Sequence, residues 1–379
     1  MIPRTLRPPR GLPAFSRSLS SSSPRQPIKI VEVGPRDGLQ NEKTPLSTEL
    51  KVELIERLVR SGLRNVEAGS FVSPKWVPQM ASTPEVLTSP ALSQLRRDYP
   101  DLSLPVLVPN ARGLSSLTTL FSSHPSDPPL TNEIAVFVAA SEGFSRANLN
   151  TTVKDSLASL PPIFESAKNR GLKVRAYVSV VLGCPFDGRI EPGKVAGVAK
   201  ELLDMGAYEV SLGDTIGVGV PAGWGKLLNE CERAGVPVSM LAAHCHDTYG
   251  TAISSILQCV SLGVRTVDSS IASLGGCPYS PGATGNVSTE DVLYALYHSG
   301  IPSSFFPAPP EAGRGILLGW EGVKEDKERF ERLCDAGEWV SERLGRANGS
   351  RVGRAVRGKR ERDERRKAKE VDKQQEAKL

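Results

Sequence analysis

Two histidines separated by a single residue, His244 and His246, are the side chains of this protein best suited to chemistry. They follow the apolar run 238–243, which is typical of a β-strand. Alternate residues of a strand point to the same side, so both imidazoles are expected to face one space. Neutral imidazole binds most divalent transition-metal ions. The pair therefore indicates either two metal ligands or two hydrogen-bonded histidines at the end of a strand.

The elements that must position these histidines follow from an alternation of strand and helix patterns. Apolar runs typical of strands occur at 28–33, 65–68, 104–108, 133–138, 174–181, 209–212, 238–243 and 266–271. Between them the sequence predicts one helix that Ser47 caps and Gly62 ends. Further helical patterns lie at 151–170, 192–205, 222–235, 250–262 and 289–298.

Eight strands that alternate with helices over about 250 residues are typical of a TIM barrel. A doubly wound sheet would also alternate, but no dinucleotide fingerprint or P-loop follows the first strand. We therefore predict an α/β fold: a (β/α)8 TIM barrel with a short C-terminal helical extension and disordered termini.

The two ends of the chain differ in composition from its middle. Residues 1–27 contain five Arg and no acid, which is typical of a mitochondrial transit peptide or of a disordered tail without an address. The barrel is predicted over 28–303, and a helical extension that packs on it over 304–350, with a helical pair at 322–345. Residues 351–379 are highly charged and lack apolar periodicity, which predicts a disordered tail. The tail ends in Ala377-Lys378-Leu379, a conservative variant of the peroxisomal Ser-Lys-Leu signal.

Charge, hydropathy and cysteine usage argue against several classes of function. Residues 28–350 hold 30 basic and 36 acidic residues, which does not suggest a nucleic-acid-binding core. No apolar run approaches the ~20 residues that span a bilayer, so no membrane partner is expected. The six cysteines lie far apart without a CxxC pair, which favours a reducing compartment.

Barrel geometry predicts which polar residues come together, because residues just past the strand ends meet at one mouth. Five of them occupy such positions: Asp37, Glu67, Asp214, His244 and His246. Two imidazole nitrogens with a carboxylate oxygen from Asp37 suit a divalent cation that keeps open positions for substrate.

The loop after the last strand, 275–286, adds two further candidates. The amide oxygen of its Asn286 can bind a hard cation. Four Gly and two Pro over these twelve residues are typical of a loop that changes conformation, as a lid would. Cys277 lies among the glycines, where a thiol is more often reactive than structural.

With these motifs the sequence resembles the 3-hydroxy-3-methylglutaryl-CoA lyases, a family of the metal-dependent pyruvate-lyase-like barrel group. The resemblance covers about residues 28–300, and its motifs are Val31–Glu42, Glu67 with Ser70–Met80, Ser211–Gly219, His244–Gly250, Gly275–Tyr279 and Gly285-Asn286. It implies cleavage of 3-hydroxy-3-methylglutaryl-CoA to acetyl-CoA and acetoacetate. The substrate hydroxyl must then lose a proton, the C2–C3 bond must break, and the enolate of acetyl-CoA must be stabilised and protonated.

The resemblance also implies roles for individual residues. The ligands of a Mg²⁺ or Mn²⁺ ion would be Asp37, His244, His246 and Asn286. The enolate-stabilising cation would be Arg36, and the proton donor to the enolate carbon would be Cys277. The acids Glu67 and Asp214 would hold the network and help move the hydroxyl proton, with a contribution from His244. Substrate contacts would come from Arg36, Gln40, Ser70 and Ser211, and Glu290 would orient the ligands.

Alternatives remain open at this stage. A synthase of the same barrel group, which condenses acetyl-CoA with a 2-oxo acid, would share the metal ligands, although Cys277-Pro278-Tyr279 favours the lyase. A catalytically silent scaffold would lack a ligand or an acid, whereas Arg36, Asp37, Cys277 and Asn286 are all present. The expected partners are a CoA thioester and a second copy of the chain in a homodimer, and the expected location is the mitochondrial matrix, with the peroxisome as a second address.

Overall fold

Eight parallel strands form the sheet around which the molecule is built. The computed structural model describes residues 26–42, 44–276, 285–308 and 324–376, with side chains up to residue 370. The eight strands, in their order around the sheet, are β1 (Lys29–Glu32), β10 (Thr266–Ser269), β9 (Leu241–Cys245), β8 (Glu209–Asp214), β5 (Lys173–Ser179), β4 (Glu133–Ala139), β3 (Val106–Leu107) and β2 (Gly69–Ser70). The remaining pair, β6 (Gly183–Cys184) and β7 (Gly188–Arg189), forms a small antiparallel hairpin after β5.

The sheet closes on itself between its first strand and the segment that leads into β2. The Glu32 amide donates to the Asn65 carbonyl at 2.9 Å, and the Glu67 amide donates to the Glu32 carbonyl at 2.9 Å. Closure of eight parallel strands makes the α/β barrel that the sequence predicted. All strand C-termini therefore face one mouth.

Helices cover the outside of the barrel. In chain order they are α1 (Thr48–Ser61), α2 (Thr83–Thr88), α3 (Pro90–Asp98), α4 (Ala111–Ser123), α5 (Glu142–Leu149), α6 (Val153–Ala158), α7 (Pro161–Asn169), α8 (Pro192–Asp204), α9 (Pro221–Arg233), α10 (Ala252–Ser261), α11 (Thr289–His298), α12 (Lys324–Leu344) and α13 (Arg351–Glu376). Short turns occupy Gly34–Gly38, Pro78–Met80, Val238–Met240 and Ile271–Ser273. Of the described helices, none combines enough length with enough apolar content to cross a bilayer.

Helix α1 shows how the sequence sets its ends. The Ser47 hydroxyl accepts the Leu50 amide at 3.3 Å, which satisfies one of the free donors of the first turn. Gly62 ends the helix with φ 125°, a conformation that a side chain disfavours. Its apolar face, including Leu54 and Leu58, is buried in the main core between helices and barrel. The predicted cap and stop are both confirmed.

Several predicted elements differ from the structure for local reasons. The helix expected over 151–170 is two helices, because Pro161 fits the first turn of α7 but not the interior of a longer helix. The strand expected over 238–243 begins at Leu241, since Val238–Met240 forms a 3₁₀ turn. The helical pair expected over 322–345 is the single helix α12, which packs on α1.

The charged tail is the largest correction. Residues 351–376 form helix α13, whereas the sequence predicted disorder. Its charges are arranged at helical spacing, so Arg357 pairs with Glu361 one turn later at 2.9 Å. Arg360 also reaches across to Glu331 of α12 at 3.3 Å. These pairs lie at helical spacing and between helices in a segment with little apolar surface, and composition alone does not reveal them.

Candidate active site

Three side chains able to bind a metal meet at the barrel mouth. Asp37 lies in the turn Gly34–Gly38 after β1, His244 is in β9, and His246 follows β9. Each offers one ligand atom, and these atoms all lie within 4.8 Å of one another. The two imidazole centroids are 5.4 Å apart, as expected for residues on one side of a strand. The structure thus brings together residues that are more than 200 positions apart in the sequence.

The orientation of His244 is set by an acid on the neighbouring strand. Its Nδ1 lies 3.2 Å from Oδ2 of Asp268, which is level with it on β10. Burial opposes ionisation of Asp268, but the charge of Arg175 outweighs it and holds the pKa of that carboxyl far below its usual range. Nδ1 therefore carries a proton and donates it, and Nε2 lies on the side of Asp37, 3.9 Å from its Oδ2.

His246 and Asn286 complete the group of polar side chains at the mouth. His246 is buried, and its Nδ1 has no hydrogen-bond partner among the described residues. Burial, together with the neighbouring His244, lowers the pKa of His246 to about 4, so its ring is neutral at pH 7. Asn286 pairs with His246 through the backbone, and its amide Nδ2 donates to Oδ2 of Asp37 at 2.9 Å. Two imidazoles, an ionised carboxylate and an amide suit a divalent cation.

Arg36 is held rigidly between two carboxylates. Its Nε and Nη2 lie 2.7 and 2.6 Å from Oε2 of Glu67, and its Nη1 lies 2.7 Å from Oδ1 of Asp37. Burial alone would favour the neutral form, but Glu67 and Asp37 raise the pKa of Arg36 above its already high value. Burial likewise disfavours ionisation of Asp37, yet Arg36 and the two histidines lower its pKa to about 2. A permanent cation therefore lies beside an ionised carboxylate.

A buried network continues from these residues into the barrel. The Tyr177 hydroxyl donates to Oε1 of Glu67 at 2.6 Å and accepts from Nη1 of Arg175 at 2.6 Å. Arg175, with no exposed surface, also lies 2.7 Å from Asp268 and 2.6 Å from Glu209. This chain of contacts links the partner of Arg36 to the partner of His244. The barrel interior thereby fixes both sides of the mouth in relation to each other.

Comparison with known proteins assigns the family. A family model described as HMGL-like matches residues 27–305. The chain belongs to the HMGL-like family. It is 43% identical over 356 residues to a Bos taurus protein named mitochondrial hydroxymethylglutaryl-CoA lyase, which covers 94% of this chain and 97% of that relative.

Solved structures agree with this HMGL-like assignment. The crystal structure of a hydroxymethylglutaryl-CoA lyase from Pseudomonas aeruginosa matches with a TM-score of 0.74 and 42% identity, covering 88% of this chain and 98% of that one. An HMG-CoA lyase from Acinetobacter baumannii, solved in complex with coenzyme A and 3-methylmalate, matches with a TM-score of 0.72 and 27% identity, covering 87% and 95%. The predicted family is therefore confirmed.

Three residues of this HMGL-like site escaped the sequence analysis. Asp268, Arg175 and Tyr177 lie within strands, whereas barrel geometry draws attention to the residues just past the strand ends. A signal existed, because a charged residue inside an otherwise apolar, buried strand needs a partner. Arg175 in β5 and Asp268 in β10 each satisfy the other.

Asp214 and Glu290, which were predicted to support the site, both bind backbone amides. The two oxygens of Asp214 accept the amides of Val218 at 3.1 Å and Gly219 at 2.8 Å, and burial raises the pKa of Asp214 to about 6. Glu290 accepts the Ala272 amide at 3.0 Å, and burial raises its pKa to about 8. These carboxylates hold the loops after β8 and β10, so they act on the site through the backbone.

The predicted substrate-binding residues occupy different environments. Ser211 is buried, and its hydroxyl donates to Oδ2 of Asp268 at 2.7 Å, which makes it part of the network beneath His244. Ser70 lies in β2, and its hydroxyl accepts the Val72 amide at 3.1 Å. Gln40 is half-buried just after the turn that carries Asp37. Cys277, predicted as the proton donor, lies outside the described residues.

Proposed function

We propose that this protein is a divalent-metal-dependent carbon–carbon lyase that cleaves 3-hydroxy-3-methylglutaryl-CoA into acetyl-CoA and acetoacetate. The observation that carries the proposal is the meeting of Asp37, His244 and His246 beside the buried Arg36 at a barrel mouth. Relatives named for this reaction that align along almost the whole chain support it. The activity belongs to the ketone-body-forming and leucine-degrading reactions.

The chain would hold the cation through Asp37, His244, His246 and Asn286, with Mg²⁺ or Mn²⁺ as the proposed ion. When bound, such an ion supplies Lewis acidity that acidifies and orients the substrate hydroxyl. Asp268 keeps a proton of His244 on Nδ1, so Nε2 is the nitrogen that would bind the cation. The role of His246 rests on its neutral ring and on an Nδ1 for which the described residues supply no partner.

Arg36 is the proposed stabiliser of the negative charge that develops on the thioester oxygen as the C2–C3 bond breaks. Glu67 and Asp37 hold its guanidinium before the reaction starts, so little reorganisation accompanies the change in charge. Glu67 already accepts hydrogen bonds at both oxygens, from Arg36 and Tyr177, which favours a positioning role for it. Arg36 would thus contribute through its fixed location.

Two proton transfers complete the proposed reaction. Glu67 and Asp214 would hold the network and help move the hydroxyl proton, with a contribution from His244; burial raises the pKa of Asp214 to about 6. Cys277 would protonate the enolate carbon. Contacts from Gln40, Ser70 and Ser211 would orient the CoA thioester, and Glu290 would hold the loop that carries Asn286.

The decisive experiment incubates purified protein with Mn²⁺ or Mg²⁺ and 3-hydroxy-3-methylglutaryl-CoA and measures acetoacetate and acetyl-CoA. Product should form with the ion and disappear with a chelator. A parallel reaction with acetyl-CoA and a 2-oxo acid should release no free CoA. Release of free CoA in this reaction, together with no acetoacetate in the first assay, would favour the synthase. Substrate that stays intact in the presence of bound ion would refute the lyase.

Variants separate the proposed roles. Asp37→Ala and His246→Ala should weaken Mn²⁺ binding, measured by the electron paramagnetic resonance signal of free Mn²⁺. Cys277→Ala should bind Mn²⁺ like the wild type but lose most turnover. Full activity of that variant would remove Cys277 from the reaction.

The cellular location and assembly are also proposals. Residues 1–27 would direct the protein to the mitochondrial matrix, as the name of the Bos taurus relative suggests, and Ala377-Lys378-Leu379 would add a peroxisomal address. Fluorescent fusions that lack either segment test the two addresses separately. A homodimer is proposed for the protein in solution, and sedimentation equilibrium tests it.

A further inference from the structure

The link between α12 and α13, residues 345–350, lies against the mouth of the barrel. The Gly349 amide donates to the Ala272 carbonyl at 3.0 Å, in the turn that leads to the loop carrying Asn286. Arg346 donates to the Ser273 carbonyl at 3.3 Å and forms an ion pair with Glu42. The segment outside the barrel therefore contacts the loops that follow β1 and β10.

Asp291, in the first turn of α11, holds the beginning of α13. Its Oδ1 accepts the Ser350 hydroxyl at 2.7 Å and the Val352 amide at 2.9 Å, while its Oδ2 accepts the Arg351 amide at 3.3 Å. Asp291 and Ser350 are both buried. Because both flanking residues and its own amide are bound, the backbone of Arg351 has a defined position.

From that position the Arg351 side chain reaches the loop after β9. Its Nη1 lies 2.6 Å from Oδ2 of Asp247, a residue with only 8% of its side chain exposed. The other oxygen of Asp247 accepts the Ala252 amide at 3.1 Å. The Asp247 amide donates to the Gly285 carbonyl at 2.9 Å. Asp247 is therefore held on three sides.

The neighbours of Asp247 give this contact its importance. Asp247 directly follows His246, and Gly285 directly precedes Asn286. The hydrogen bond from Asp247 to Gly285 extends the backbone pairing of His246 with Asn286. A displacement of Asp247 would therefore change the separation and angle of two proposed ligands at once.

We infer that Arg351 is a positioning residue for the cation site: through Asp247 it sets the relative placement of His246 and Asn286 from outside the barrel. The inference rests on the proposed function, because it assumes that His246 and Asn286 bind the ion. It adds a role for the first residue of α13. The half-exposed guanidinium of Arg351 does not itself reach the site, so it acts only through the loop.

The test compares Arg351→Gln with the matched control Arg357→Gln. Both remove one positive charge from α13, but Arg357 pairs with Glu338 and Glu361, away from the mouth. Mutation of a residue that contacts a ligand costs about 10- to 100-fold in metal affinity. Arg351 contacts Asp247 and not a proposed ligand itself, so its effect should be smaller. We expect Arg351→Gln to weaken Mn²⁺ binding about 3- to 10-fold. Arg357→Gln should leave it unchanged, and Arg351→Lys should restore part of the affinity.

The readouts are the Mn²⁺ dissociation constant, from the resonance signal of free Mn²⁺, and the urea midpoint of unfolding. Weaker binding by Arg351→Gln at an unchanged midpoint supports the inference, whereas equal Mn²⁺ affinities for it and the wild type overturn it. If Arg351→Gln does not fold, the variant Asp247→Asn replaces it in the test. This variant removes the charge that Arg351 binds and keeps an oxygen that can accept the Ala252 amide. Wild-type Mn²⁺ affinity in Asp247→Asn would also overturn the inference. Absence of Mn²⁺ binding by the wild type would instead refute the proposed cation site.

Discussion

Two networks of arginine–carboxylate ion pairs lie in opposite environments. The inner network, defined as Arg175, Tyr177, Glu209 and Asp268, is inside the barrel, and Arg175 and Asp268 have no exposed side-chain surface. The outer network, defined as Glu331, Asp335, Glu338, Arg357 and Arg360, joins α12 to α13 in contact with solvent. Water screens the outer charges, whereas the inner charges depend on one another. Only the inner network controls the direction of a proposed ligand.

The largest effect should follow removal of Asp268. Asp268→Ala leaves the buried guanidinium of Arg175 with one fewer partner and His244 without the acceptor of its Nδ1 proton. Breaking one side of a buried pair costs about 3–5 kcal/mol, so the free energy of unfolding should fall by that amount. Urea denaturation followed by circular dichroism measures it. Asp268→Asn keeps the shape and an acceptor oxygen and should lose less; equal losses would show that the negative charge of Asp268, and not its hydrogen bonding, is what the buried network requires.

Glu290 is a buried acid like Asp268, but among the described residues no cation offsets its burial as Arg175 does for Asp268. Burial raises the pKa of Glu290 from 4.5 to about 8, so between these values the folded protein keeps a proton that the unfolded chain has lost. Its contribution to stability is complete below pH 4.5 and declines as the pH rises to about 8. The stability of Glu290→Gln relative to the wild type should therefore increase over this window by a few kcal/mol. Urea titrations from pH 5 to pH 9 measure the difference, and a constant difference would contradict the raised pKa.

Tyr177 joins the inner network to Glu67 by a neutral group, so its removal should cost less than that of a charge. Tyr177→Phe removes a hydroxyl that makes two hydrogen bonds of 2.6 Å. Loss of a buried hydrogen-bonded group costs about 1–3 kcal/mol, which urea denaturation measures. Tyr294→Phe, on the exposed side of α11, is the control and should be neutral. A neutral result for Tyr177→Phe would mean that water can replace the hydroxyl.

The smallest effect belongs to the outer network. Arg360→Ala removes the ion pairs with Glu331 and Asp335, all partly exposed. Exposed pairs contribute about 0–1 kcal/mol, so the melting temperature should change little, and the change should vanish in 1 M salt. A loss as large as that of Asp268→Ala would show that α13 is essential to the folded barrel and would remove the contrast between the networks.

The fold was accessible from the sequence because a repeated local pattern encodes it. Apolar runs that alternate with capped helices predicted the barrel, and the Ser47 and Gly62 ends of α1 depend only on adjacent residues. The tail was wrongly expected to be disordered, because the charges of α13 are satisfied partly by α12, which composition does not show. The sequence also predicted a helical pair over 322–345, where the structure has the single helix α12.

The sequence by itself determined which side chains gather, since in a closed parallel barrel every strand ends at the same mouth and the order of residues along the chain is sufficient. Asp37, His244 and His246 could be placed together on that ground. Only the tertiary structure decided which atoms are free to act. The partner of His244 is Asp268 of β10, and the partner of Arg36 is Glu67 in the segment before β2; they are separated from those residues by 24 and 31 positions. Such contacts depend on strand register and side-chain direction, which no local pattern encodes.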